Sequence, residues 1–293
     1  SLVLGVLPVL PSLPFQYKDF ALWHRKYVTE QVLDKQLEYW LGELSGFETL
    51  NLPLDFQRPG RISYEGTTLG FRISCETSFQ LRSLSKDLGV SLYSVMLSGY
   101  YLMLASYSGQ DDLVVGTPVA NRHYPGLENM IGFFVNTLVF RQRVDFNTSV
   151  RDFITDVFSG VLGGQMYQDL PFEKLVDALN VDQDSSRHPV FQVMFGLQGF
   201  ESEAKARDVE DCFFHSFDSG IQDETSKFDL TTMIDDRGEE LFGTFNFAKS
   251  LFKGSTIEHM ISTYQYILDQ FSDLFQHGSS EVKLNEIRWI EED

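Results

Sequence analysis

Histidine and cysteine are scarce in this chain, with six and two among 293 residues. No two histidines are adjacent, and none has aspartate four residues later. Their dispersal offers no metal-ligand spacing. Cys75 and Cys212 form no C-x-x-C and no disulfide framework, which fits a reducing compartment. Both lie in apolar, strand-like runs and are expected as buried, inert thiols. Positive charge is short as well: 23 Lys and Arg face 42 Asp and Glu, a formal net charge of −19. That balance argues against a nucleic-acid or anionic-membrane surface. The apolar run at 92–105 is too short and too mixed to cross a bilayer. Residues 1–14 are apolar but lack a basic flank and carry three prolines, so they make a poor signal peptide. The G-x-S-x-G elbow, the phosphate loop, the dinucleotide fingerprint and H-E-x-x-H are all missing.

What is present is ample apolar material, 43% of residues, with 14% aromatic. That suffices for one large domain or two small ones. The densest stretch is 131–141, IGFFVNTLVFR. Its β-branched and aromatic run reads as a central strand covered on both faces. Asn136 and Thr137 interrupt it. A polar pair in a buried strand must find partners or cost a few kcal/mol. It is either a satisfied kink or the wall of a cleft.

The remaining pattern alternates helix and strand. Residues 19–44 carry an aromatic stripe at three- and four-residue steps and read as one amphipathic helix. Residues 67–75 read as a strand, and Thr77 as the cap of a short helix stopped by Gly89. Residues 92–107 are hydrophobic nearly all round and should form a buried helix. Residues 113–119 are a buried strand, followed by a loop over 120–126 holding Asn121, Arg122 and His123. His123 reads as a surface or structural histidine. Ser149 caps another helix, and Pro171 opens a shorter one reaching Leu179. Strands are expected at 190–197, 212–217, 227–234 and 240–247, with an exposed loop at 201–211 and a hairpin turn at 235–238. Ser255 or Thr256 is expected to cap a final helix. The implied fold class is α/β (α+β): a two-layer sandwich with helices packed on a mixed sheet.

Several of these stretches resemble, in order, motifs of the condensation domains of nonribosomal peptide synthetases. Tyr17-Lys18-Asp19-Phe20-Ala21-Leu22-Trp23 is similar to Y-x-D-F-A-x-W. Residues 131–141, with Gly132, Asn136, Thr137 and Arg141, are similar to G-x-F-V-N-T…R. Gln168-Asp169-Leu170-Pro171-Phe172-Glu173 resembles Q-D-x-P-F-E, with Tyr167 where the family has His or Asn. Residues 182–191, with Ser186, Arg187 and Pro189, resemble R-D-x-S-R-N-P-L, with Gln183 and His188 departing from it. By chemistry Arg187 reads as an anchor tying a loop to carboxylates or carbonyls.

The resemblance implies a chloramphenicol-acetyltransferase-like fold of two lobes around a tunnel. In that tunnel an acceptor amine attacks a donor thioester. Both substrates ride on phosphopantetheine arms of carrier domains, and no cofactor is bound directly. The family's H-H-x-x-x-D-G motif, whose second His orients or deprotonates the amine, is not in this sequence. The expectation is therefore a C-terminal lobe over 17–277, between a linker at 1–16 and an exit linker at 278–293. Gly116, Thr117, Asn121, Arg122, Asn136 and Thr137 are its candidate tunnel residues, and alone it should be inactive. The implied partners are the missing N-terminal lobe, upstream and downstream carrier domains and an adjacent adenylation domain. The implied setting is the cytoplasm, and the exposed lobe should self-associate. The alternatives are a non-catalytic carrier-binding module and the epimerisation or heterocyclisation subtypes.

Overall fold

Serine caps and left-handed glycines set the helix ends. Ser74, Ser91 and Ser149 each accept a hydrogen bond from the amide three residues on, and Gly89 and Gly109 stop two helices at positive φ. The computed structural model describes residues 12–28, 30–181, 184–198, 225–276 and 281–290. In these, the helices are α1 (Tyr17–Tyr27), α2 (Glu30–Glu43), α3 (Cys75–Leu88), α4 (Leu92–Ser108), α5 (Val150–Met166), α6 (Phe172–Leu179) and α7 (Gly254–Gln276). The strands are β1 (Gly66–Ile73), β2 (Asp112–Val119), β3 (Asn136–Arg143), β4 (Val193–Gln198), β5 (Leu230–Asp235) and β6 (Leu241–Ala248).

The strands make one mixed sheet in the order β1-β6-β5-β4-β2-β3. β4 runs parallel to β5 and β2, and the other pairings are antiparallel. Period-two alternation divides its faces. Leu230, Thr232 and Ile234 of β5, with Leu241, Gly243, Phe245 and Phe247 of β6, are buried; the residues between them are less so. On the buried face Tyr100 of α4 and Tyr264 of α7 meet Phe245. α4 buries twelve residues, as its all-round hydrophobicity predicts. Helices on a mixed sheet give the expected α/β class.

The stretch 131–141 departs from its reading as a central strand. β3 starts only at Asn136 and, among the described residues, lies at the sheet edge, paired with β2 alone. Ile131 and Phe133 are 93% and 78% exposed. Residues 19–44 form two helices rather than one, because their aromatic stripes serve different bodies. Tyr17 and Phe20 of α1 pack on a satellite cluster of Leu127, Met130 and Phe134, whereas Trp40 and Leu44 belong to the main core or its edge. Thr77 is not a cap. Ser74 holds that place, and the Thr77 hydroxyl instead donates to Asp269. Cys75 is exposed on the first turn of α3 rather than buried in a strand.

Residues 281–290 do not behave as an exit linker. Val282 O accepts from Val150 N, Thr148 O accepts from Leu284 N, and Leu284 and Ile287 are buried. Cys212, the strand at 212–217 and the loop at 201–211 lie outside the described residues. No single helix among the described residues is long and apolar enough to cross a membrane.

Candidate functional site

Asn136 is the hinge of the site. Its Nδ2 donates to Gln168 O at 2.9 Å and Leu170 O at 2.8 Å, and its Oδ1 accepts from Phe172 N at 3.3 Å. One side chain at the start of β3 thereby fixes the loop that opens α6. Pro171, which lacks an amide hydrogen, stands at the N-cap of α6. Phe172 packs on Phe191 at 5.4 Å. Asn136 is thus satisfied, and with Thr137 it lines an open groove of about 320 Å³. Asn121, Asp169 and Glu173 stand on the same wall, and Tyr17, Phe20, Phe133 and Phe134 supply aromatic surface.

α1 lends Tyr17, Phe20 and His24 to that groove. The Tyr17 hydroxyl donates to Phe133 O at 2.9 Å, and its ring meets Phe134 edge-on at 5.2 Å. Gly132 is required beneath it, since a Cβ there would come within 2.2 Å of the Tyr17 ring. Asp19 closes the first turn by accepting from Gln16 N at 2.9 Å. Phe20 stacks on His24 at 5.3 Å. Trp23 stacks on Tyr27 and meets Tyr124 edge-on at 4.6 Å.

The electrostatic centre is Asp169, 8% exposed. Its Oδ2 accepts from Gln36 Nε2 at 3.2 Å and from the Tyr124 hydroxyl at 3.0 Å. His123 Nε2 stands 3.3 Å from Oδ1. Burial pulls His24 below its ordinary value of 6.5; Asp169 opposes that shift and His123 adds to it. Burial, with hydrogen bonds to Tyr27 and Asp169, pushes the Tyr124 hydroxyl far up. His24, His123 and Tyr124 were not among the sequence candidates. His123 and Tyr124 meet Asp169 from the 121–134 segment, and α1 adds His24.

The remaining candidates sit elsewhere. Gly116 lies under the Phe191 ring, and the Thr117 hydroxyl is bonded to Tyr93 at 2.6 Å in the interior. Arg122 folds back on the carbonyls of Leu127 and Met130, with its guanidinium 4.2 Å over Phe134. Arg141 binds both carboxylate oxygens of Asp112, at 2.7 and 2.5 Å, and the carbonyls of Glu43, Ser45 and Gly46. Gln168 donates to Gln165 O at 2.8 Å. The Ser186 hydroxyl donates to Asp184, and Arg187 donates to Asn51 Oδ1 at 2.9 Å, an anchoring role. Pro189 leads into buried Val190 and Phe191 ahead of β4. Among the described residues no group of His, Cys, Asp and Glu is placed to hold a metal ion.

A family model described as Condensation domain matches residues 8–287. A linear gramicidin synthase of Brevibacillus parabrevis is 41% identical over 262 residues, 89% of this chain and 5% of that protein. The N-(5-amino-5-carboxypentanoyl)-L-cysteinyl-D-valine synthase of Amycolatopsis lactamdurans is 40% identical over 263 residues, 90% of this chain and 7% of that protein. The chain thus spans a small fraction of the curated relatives it matches. The crystal structure of the X-domain from teicoplanin biosynthesis shares the fold, with a TM-score of 0.80 at 20% identity, covering 98% of this chain and 65% of that one.

Proposed function

The chain belongs to the condensation-domain family, and from that premise we propose that it is the C-terminal lobe of such a domain in a nonribosomal peptide synthetase. It supplies one wall of the tunnel in which the amine of a carrier-bound aminoacyl group attacks a carrier-bound donor thioester. The carbon–nitrogen bond forms, the carbon–sulfur bond breaks, and the donor carrier's phosphopantetheine thiol leaves. The amine proton passes to a base that this chain does not carry, because the H-H-x-x-x-D-G motif is not in its sequence. The isolated chain is therefore inactive. In the cytoplasm its partners are the motif-bearing lobe, the flanking carrier domains and an adjacent adenylation domain.

The observation that carries this reading is the open groove beside Asn136 and Thr137. A complete interior would have sealed that polar pair. Two further features support it. Ile131, Phe133 and Val135 are exposed on the segment that leads into β3, as a surface awaiting a mate would be. The 65% coverage of a solved relative's chain leaves room for a second lobe.

The test is to mix this chain with a separately produced motif-bearing lobe and carrier proteins loaded with donor and acceptor. The reading requires a one-to-one complex of the lobes and amide formation that depends on both. No complex, or equal turnover without the added lobe, refutes it.

A further inference from the structure

Among the described residues, three buried side-chain polar atoms without a hydrogen-bond partner belong to residues that line one groove: His24 Nε2, Asn121 Oδ1 and Asp169 Oδ1. Buried polar atoms are normally paired, and each one left unmatched costs on the order of 1–3 kcal/mol. All three residues line one opening of about 320 Å³. Asn121 also holds a left-handed backbone at φ 52°, an unusual conformation for a residue with a side chain.

The chemistry of the three is one-sided. The Asn121 oxygen and the Asp169 carboxylate oxygen accept only, and an imidazole in its neutral Nδ1–H tautomer accepts through Nε2. His123 Nε2 lies 3.3 Å from Asp169 Oδ1 but makes no aligned hydrogen bond to it. Glu173 adds a second carboxylate to the wall. The arrangement repels anions. Its complement is a cation with three N–H donors, which is a primary ammonium. Tyr17, Phe20, Phe133 and Phe134 line the rest of the groove. Such faces suit an apolar stem and a nearby cation.

We propose that this groove is a subsite for a primary alkylammonium, held by Asp169, Asn121 and His24 with its alkyl stem along the aromatic wall. It rests on the reading above only for the natural ligand, which would be the basic side chain of an aminoacyl group. A bare α-ammonium has the same head but no stem, and the two sources are separable.

The experiment is calorimetric titration of the full chain, at constant ionic strength, with n-butylammonium chloride, n-butanol and glycinamide. n-Butylammonium should bind saturably, n-butanol should not, and glycinamide should bind at least several-fold more weakly. Asp169→Asn should weaken n-butylammonium by about tenfold or more. Asn121→Gly, which tolerates the positive φ and removes the oxygen, should weaken it several-fold. Glu76→Gln, in a separate acidic groove between α3 and α7, should change nothing and so controls for the overall negative charge. If Asp169→Asn fails to fold, Asn121→Gly decides alone. The proposal is overturned if n-butylammonium shows no saturable binding, if n-butanol or glycinamide matches it, or if Asn121→Gly binds like the parent. The readout involves no carrier domain and no turnover, so its failure leaves the lobe assignment standing, and failure of the lobe assignment leaves the binding data standing.

Discussion

Asn136 Nδ2 lies 2.8 Å from the carbonyl oxygen of Leu170, across 34 positions of sequence. With its contacts to Gln168 and Phe172, this ties the edge of the sheet to the loop that carries Asp169 and Glu173 into the groove. Asn136→Ala leaves two carbonyls and one amide without that partner. The expected cost is about 2–3 kcal/mol. Amide exchange should rise first over residues 168–173, ahead of global unfolding, and chemical denaturation with hydrogen exchange checks both effects. Equal exchange in parent and variant would remove the tie.

Arg141 and Asp112 form a buried pair, with side chains 9% and 11% exposed. Removing Arg141 leaves a nearly buried carboxylate to the exposed Arg143, 3.8 Å away, and frees three carbonyls near the end of α2. Arg141→Met should cost about 3 kcal/mol or more. Arg141→Lys should not rescue it, because a single ammonium cannot reproduce the fork. The double variant Arg141→Met with Asp112→Leu should recover part of the loss. Urea midpoints for the three variants read this out.

Gly116 has no space for a side chain. A Cβ there would meet the Phe191 ring at 2.2 Å. Gly116→Ala should destabilise by about 1–3 kcal/mol through overpacking, and Phe191→Leu in the same chain should relieve it. If the alanine variant matches the parent, the ring is not held in that place.

His24 makes stability depend on pH. Its folded pKa lies below the ordinary 6.5, with burial as the leading cause. The unfolded chain therefore takes up the proton first as pH falls. The contribution is complete above pH 6.5, is lost as pH drops from there toward the folded value, and is level below it. His24→Gln should flatten that part of the profile. Melting curves from pH 7.5 to 5 check the sign; a parent that becomes more stable over this descent through His24 would contradict it.

Much of the fold was legible because its signals are local. Ser91, Ser149, Gly89 and Gly109 mark helix ends by their own chemistry, and the hydrophobic run of α4 can only be a core helix. The polar pair Asn136–Thr137 was legible as an anomaly for the same reason. The position of β3 was not, because an apolar run looks alike at a sheet centre and at an edge that leaves Ile131 and Phe133 exposed. The split between α1 and α2 was hidden too, since one periodic stripe gives no hint that its halves serve different clusters. Asp169 was visible by resemblance. Its neighbours His24, His123 and Tyr124 come from two other segments, and their meeting depends on how α1 folds onto the 121–134 segment.

The proposed lobe builds a groove wall and takes its base from a second lobe. The most direct measurement is amide formation by this chain alone, incubated with a donor-loaded and an acceptor-loaded carrier protein and followed by mass spectrometry of the carrier-bound product. The account predicts no product above the protein-free background at any time point. Product that accumulates in proportion to the concentration of this chain would contradict it.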